Sequence, residues 1–232
     1  MDLDTKNVKI SIIKKKHFNW KFLEKINDIE NVIDIGANIG TPQLIYNFPN
    51  ANYYYFEPLK NCNQELNKFN KKNNISNYQI FNVALSNKIG EALFNEVGDT
   101  SSHSSSLLEL SAHYDNTKKK LETVKIKVEL DVLSNFKDKV NFNNSFIKMD
   151  TQGSEFDILQ GIDNEIFEKV KFFLIEISFV ERYEKQSNFD EIYSYLKEKN
   201  YKLAGIVELN NQLKASQADF LFCKKDDNRS YF

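Results

Sequence analysis

The first residues of this chain that could do chemistry stand at the end of an apolar run. Val32-Ile33-Asp34-Ile35 leads into Gly36-Ala37-Asn38-Ile39-Gly40, in a chain with only 7 Gly. A strand that ends in two closely spaced glycines makes a turn whose backbone passes close to a ligand. The next apolar run, 53–56, ends in Glu57, 57 − 36 = 21 residues beyond Gly36. A carboxylate that holds a ribose diol from the tip of the second strand stands roughly 20 residues from such a turn. Types and spacing together indicate a nucleoside ligand.

The turn also discriminates among nucleosides. A nicotinamide dinucleotide requires Gly-x-Gly-x-x-Gly, whose second glycine admits the pyrophosphate. Ala37 and Asn38 occupy that stretch here, and the Gly-x-x-x-x-Gly-Lys-Ser/Thr pattern of a phosphate-binding loop is absent. Asp34 repels a phosphate but suits an ammonium group, directly or through water. S-adenosylmethionine meets these conditions. It has no phosphate, and it carries a ribose diol, an ammonium and a positive sulfonium. The helix N-terminus after Gly40 can receive its carboxylate.

Alternating strands and helices must position these residues. Strands read over 31–35, 53–56, 78–85, 145–149 and 171–178, with helices over 41–47, 58–72, 154–159 and 189–199. A hairpin of 201–209 and 218–224 closes the chain on the sheet edge. The pattern predicts an α/β fold: a doubly wound, mostly parallel seven-stranded sheet with a C-terminal antiparallel hairpin. Residues 1–30 read as a flank, with a strand over 8–13 and an amphipathic helix over 17–29 beside the nucleoside site. Residues 31–225 read as one domain with an insertion at about 90–144. That insertion holds strands over 92–96 and 123–130 and a Ser-rich loop, so it is expected to be functional or partly ordered.

Composition narrows the partners. The 31 Lys+Arg and 33 Asp+Glu give a formal charge of −2, which speaks against nucleic acid. Cys62 and Cys223 match no metal or redox spacing and read as free thiols in a reducing compartment. The acidic start, Met1-Asp2-Leu3-Asp4, does not read as a secretory signal, and no run approaches the roughly 20 apolar residues of a membrane span. The expectation is a cytoplasmic protein.

Several segments also carry a family resemblance: Asp34 to Gly40, Phe56-Glu57-Pro58, Asn82-Val83-Ala84-Leu85, Lys148-Met149-Asp150-Thr151-Gln152-Gly153-Ser154-Glu155 and Leu159-Gln160-Gly161. Over roughly residues 30–180 they resemble the FkbM family of S-adenosylmethionine-dependent methyltransferases, most sharply in the block from Asp150 to Glu155. The resemblance implies a class I, Rossmann-like methyltransferase and O-methylation, typically on a sugar, glycan or polyketide. By position it implies that Gly36, Asn38 and Gly40 shape the cofactor turn, with Asp34 near the methionine moiety. Glu57 would accept from the ribose hydroxyls, and Pro58, Asn82 and Ala84 would border the adenine. Many class I enzymes have an acid just before that alanine. Here it is Val83, so the adenine contact falls to backbone or to Asn82 or Ser86.

A hydroxyl acceptor needs alignment and a group that removes its proton. Asp150, at a strand tip, is the first candidate. Glu155 is the second, with compensation of the helix dipole as its other role. His103, in the Ser-rich loop 101–106, titrates near neutrality and is the third, followed by His113. Glu176 is an acid inside an apolar strand and needs a partner or a place in the cleft. Asp150 and Glu176 could hold a divalent ion, but no third ligand stands out, and the metal-free reading is preferred. Tyr114, Phe179 and Tyr183 could stack on a sugar ring. The expected ligands are S-adenosylmethionine and a small-molecule or glycan acceptor. The alternatives are a protein or amine acceptor, or a non-catalytic nucleoside-binding subunit.

Overall fold

A computed structural model describes residues 18–97, 104–111, 123–209 and 216–231. The strand expected over 8–13, Tyr114, and the candidate bases His103 and His113 lie outside these residues.

Strands β1 (Asn31–Ile35) and β7 (Ser145–Met149) are buried along their whole length. Strands rich in apolar residues on both faces belong at the centre of a parallel sheet. With β2 (Asn52–Phe56), β3 (Tyr78–Phe81), β8 (Val170–Ser178), β9 (Tyr201–Leu209) and β10 (Gln217–Lys224) they form a seven-stranded sheet, ordered β3-β2-β1-β7-β8-β10-β9. Every neighbouring pair from β3 to β8 is parallel. The expected hairpin forms, but β10 inserts antiparallel between β8 and β9 and leaves β9 at the edge. That insertion brings the start of β10 to the tip of β8.

Helices α1 (Pro42–Asn47) and α2 (Lys60–Lys72) follow β1 and β2. Helices α3 (Glu155–Gln160) and α4 (Asn164–Lys169) link β7 to β8, and α5 (Phe189–Glu198) links β8 to β9. Pro42 opens α1, where its missing N–H costs nothing. Asn188 and Glu191 close a reciprocal capping box on α5.

Side chains alternate between two cores. Ile33, Ile147, Met149 and Phe173 pack on one face of the sheet, and Val32, Phe146, Phe172 and Leu174 on the other. By the same parity Asp34, Lys148, Glu176 and Asp219 share the second face. The register sets Asp34 beside Lys148 and Asp219 beside Glu176.

Two expectations need correction. The apolar run 78–85 is not one strand: β3 ends at Phe81, and β4 (Ala84–Leu85) joins a second sheet. The Asn82 side chain donates to the carbonyls of Glu57 and Pro58, at 3.1 and 2.6 Å, and this pins the chain where it leaves the main sheet. The second sheet, ordered β4-β6-β5, contains β5 (Gly90–Val97) and β6 (Thr123–Asp131). The N-terminal helix is a 3-10 helix over Phe18–Lys25, bent at Trp20. Trp20, Leu23 and Ile26 are all buried, and their three-residue spacing aligns on a 3-10 helix better than on an α-helix. Among the described residues no helix is long and apolar enough to cross a membrane.

Gly36 is fixed by the fold itself. Its φ is +70°, and a Cβ there would lie 2.1 Å from the Asp150 carbonyl oxygen. Gly36→Ala is therefore expected to lower stability by at least about 2 kcal/mol in urea unfolding, from overpacking and left-handed strain together. Gly90→Ala, with φ +147° but no atom within 4 Å, should cost less. Equal losses would show that crowding by Asp150 is not the cause.

Candidate active site

The sheet order reverses between β1 and β7, and such switch points open a crevice at the carboxyl ends of the strands. Two joined cavities lie there. The first encloses about 610 Å3, its open mouth included, and its walls include Phe56, Glu57, Leu59, Val83, Phe94 and Leu107. The second runs along the glycine turn and is lined by Trp20, Thr41, Lys148, Glu176, Gln217 and Asp219. Gly36, Asn38 and Asp150 border both. One half is thus largely apolar and the other rich in charge.

Glu57 is buried at the tip of β2. Its Oε2 accepts from the Asn38 N–H at 2.9 Å and its Oε1 from the Leu59 N–H at 2.8 Å. The carboxylate therefore ties the glycine turn, where Asn38 has φ +47°, to the start of α2. Each oxygen keeps another lone pair for a ligand. Burial outweighs the two donors and pushes the carboxyl up to about 7. Pro58, Val83 and Ala84 line the first cavity. The Asn82 amide is occupied by the carbonyls of Glu57 and Pro58.

Asp34 lies below the second cavity rather than on its wall. Its Oδ2 accepts from the Thr41 hydroxyl at 2.8 Å, and its Oδ1 is 3.6 Å from Lys148 Nζ. Burial raises the Asp34 carboxyl despite these neighbours. Lys148 is itself buried and stands 3.3 Å from Asp150 Oδ2. Burial alone would lower the lysine, but Asp150 and Asp34 hold it above its ordinary value. For Asp150, burial is outweighed by Lys148 and Gln152, and the carboxyl is held below the usual range. Gly40, at φ +100°, borders the same cavity, and a Cβ there would strike the Phe69 ring.

Beyond Asp150 the chain makes a strained turn, with Gln152 at φ +57°. The Gln152 Nε2 donates to Asp150 Oδ1 and to Glu176 Oε2, both at 2.8 Å. Its Oε1 is 3.1 Å from the Tyr183 hydroxyl, and its carbonyl accepts from Ser106 Oγ at 2.8 Å. The segment 104–111 is thereby strapped across the cleft, with further β-bridges from Ser106 to Asn95 and from Leu110 to Tyr183. Glu176 also accepts from Gln217 Nε2. Burial, then Asp150 and Asp219, push Glu176 up to about 9.

Glu155 does not line either cavity. Its carboxylate accepts from the Thr151 N–H and hydroxyl and from the Gly153 N–H, between 2.9 and 3.2 Å. It clamps the turn after β7. Tyr183 is buried with its hydroxyl engaged, so it is not a stacking platform. Phe179 is half exposed and packs edge-on against Phe220. Cys62 and Cys223 are free and buried, with burial raising both thiols. Among the described residues no group of three or more His, Cys, Asp or Glu is placed to hold a metal ion.

A family model for the methyltransferase FkbM domain matches residues 34–203. This chain belongs to the FkbM methyltransferase family. The matched domain is a methyltransferase domain, and S-adenosylmethionine is the methyl donor that the family resemblance implies. The fold agrees with solved methyltransferase structures. FkbM from Methylobacillus flagellatus superposes with a TM-score of 0.55 at 17% identity, over 83% of this chain. This chain spans only 44% of that protein's length. The METTL16 methyltransferase domain superposes at 0.50, with 9% identity over 92% of this chain and 67% of its own. No curated protein sequence matches this chain.

The residues of this FkbM domain fit the methyl donor. The apolar cavity beside Glu57 suits an adenosine, and the carboxylates of the second cavity suit an ammonium and a sulfonium. The buried Asp34 Oδ1 accepts no hydrogen bond and is met only by the Lys148 ammonium, 3.6 Å away. Sequence reasoning missed Lys148, Gln152, Gln217 and Asp219 as site residues. A lysine inside Phe146-Ile147-Lys148-Met149 is the same signal that singled out Glu176. Gln152 stands in the sharpest block of the resemblance without a role of its own, and Gln217 gives no signal.

Glu57 yields a pH prediction. Its folded value of about 7 lies above the ordinary 4.5, so its contribution to stability is full below 4.5 and lost as pH rises through 7. A ribose diol donates to the ionised form and pulls the value back down. S-adenosylhomocysteine should therefore bind more tightly as pH rises from about 5 to 8, by up to about tenfold per unit of pKa regained. Calorimetry should find that dependence flattened in Glu57→Gln. A profile unchanged by the substitution would remove Glu57 from the ribose contact.

Proposed function

We propose that this chain transfers the methyl group of S-adenosylmethionine to a hydroxyl of a sugar or glycan. The acidic wall of the second cavity, formed by Asp150, Glu176 and Asp219, carries this reading. Carboxylates accept hydrogen bonds from hydroxyl groups, so they suit a polyol acceptor. They repel phosphates and carboxylates, and a formal charge of −2 adds nothing that would draw a nucleic acid. Bound S-adenosylmethionine supplies an electrophilic methyl whose leaving group is a neutral thioether.

The protein then has to hold the nucleoside, align the acceptor oxygen and take its proton. Glu57 holds the ribose, with Pro58, Val83 and Ala84 beside the adenine. Gly36, Asn38 and Gly40 shape the turn along the methionine moiety, and Thr41 and Lys148 stand between that moiety and Asp34. Asp150, kept ionised by Lys148, accepts the hydroxyl hydrogen bond and orients the acceptor. The two free, buried cysteines fit a reducing, cytoplasmic setting. The same acidic wall would admit an amine, and this is the second reading.

Label transfer from methyl-labelled S-adenosylmethionine tests the choice. A panel of neutral methyl glycosides should accept label, and sugar phosphates and RNA should not. Label entering only amines would replace the hydroxyl reading with the amine one. With an accepting glycoside in hand, Asp150→Asn should lower kcat by about a hundredfold and weaken donor affinity by much less. Parallel losses of both would give Asp150 a role in binding or folding instead.

A further inference from the structure

Four carboxylates meet one ammonium at the floor of the second cavity. Asp34 and Asp150 lie 3.6 and 3.3 Å from Lys148 Nζ. Glu176 and Asp219, neighbours across β8 and β10, also act on the same lysine. Arg182 reaches the group through Gln217, whose Oε1 it contacts. Four negative charges around one buried positive charge are more than such a site holds ionised, and one carboxyl keeps a proton. Glu176 faces Asp150, Asp219 and Glu155 and is pushed up to about 9, whereas Lys148 keeps Asp150 low. Asp34 and Asp150 pair with Lys148 directly, so the proton is assigned to Glu176.

Two amides fix that carboxyl in place. Gln152 Nε2 bridges Glu176 Oε2 and Asp150 Oδ1, and Gln217 Nε2 donates to Glu176 Oε1. Two consecutive residues anchor the amides, Tyr183 on Gln152 and Arg182 on Gln217. Neutral donors orient the group without supplying charge. Its protonation therefore answers to whatever charge enters the cavity.

Resting on the transfer to a hydroxyl argued above, we propose that Glu176 takes the acceptor's proton and becomes a carboxylate when the positively charged methyl donor enters, with Gln152 and Gln217 as positioning residues. In the step, the acceptor oxygen forms a bond to the methyl carbon. The methyl–sulfur bond breaks, and its electron pair stays on sulfur. The hydroxyl proton passes to Glu176. The charge lost from sulfur reappears as that proton, so the pocket returns to its starting charge once the products leave.

Proton release on donor binding tests this without any acceptor. The full chain is titrated with S-adenosylmethionine and with S-adenosylhomocysteine near pH 8, where a carboxyl that titrates at about 9 is still largely protonated, in buffers of different ionisation heat. The two ligands share the ribose, so release from Glu57 cancels in their difference. That difference should approach about one proton for the wild type, vanish in Glu176→Gln and persist in Glu57→Gln. Glu176→Asp, which keeps a carboxyl, should restore part of it, and thermal melts establish that each variant is folded. Gln152→Leu should move the pH midpoint of the release upward, because a carboxylate without its donor is harder to ionise. An unmoved midpoint would strip Gln152 of the positioning role. Equal release by both ligands in the wild type, or a difference that survives in Glu176→Gln, overturns the proposal. With an accepting glycoside, Glu176→Gln should lower kcat at least about a hundredfold, more than it weakens donor binding at the same pH. Failure of every glycoside would overturn the acceptor class and leave the proton-release result standing.

Discussion

Lys148 is a buried ammonium in the central strand of the sheet, and the tips of four strands are arranged around its charge. An ion taken out of water is costly unless opposite charge surrounds it. Asp34 on β1 and Asp150 beyond β7 supply that charge directly, and Glu176 on β8 and Asp219 on β10 add to it. The four carboxylates are tolerable at one place only because the lysine is there. Charge of one sign then remains in excess, and that excess faces the open cleft. The same imbalance that weakens the empty protein makes the cleft receptive to a cation.

The strand order makes this cluster possible. Parity puts Asp34, Lys148, Glu176 and Asp219 on one face, but only the insertion of β10 between β8 and β9 brings Asp219 to Glu176. An ordinary hairpin added at the edge would have left Glu176 without Gln217. The reversed strand is therefore a part of the site as much as of the sheet.

Much of this was legible in the sequence, and the parts that were not share a cause. The glycine turn and Glu57 are readable because their place at the strand tips follows from short spacing along the chain, and alternating strands and helices revealed the sheet. Gln152, Gln217 and Tyr183 are not readable, because their roles are contacts across 24 to 41 residues that the fold alone creates. Glu155 is ambiguous for a local reason. An acid at a helix start near a ligand crevice looks the same whether it faces the cleft or folds back on its own turn. The split of 78–85 was hidden because a lone Asn82 inside an otherwise strand-like run reads as an outward-facing residue, while the device that ends β3 is its side chain bonding to backbone across the turn.

Glu57 shows how a structural group can also be a ligand group. A carboxylate with two backbone donors is already part of the framework, and its removal would loosen both the glycine turn and the start of α2. Such a group suits the ribose contact proposed for it, since its orientation is settled before the ligand arrives. Burial holds it near 7, so its charge is not fixed in advance. The second cavity repeats the principle with Glu176, where geometry is again set by neutral donors and charge is left to respond. In both halves of the cleft the fold determines position and leaves protonation to the ligand, so binding and proton movement are linked through the same two carboxyl groups.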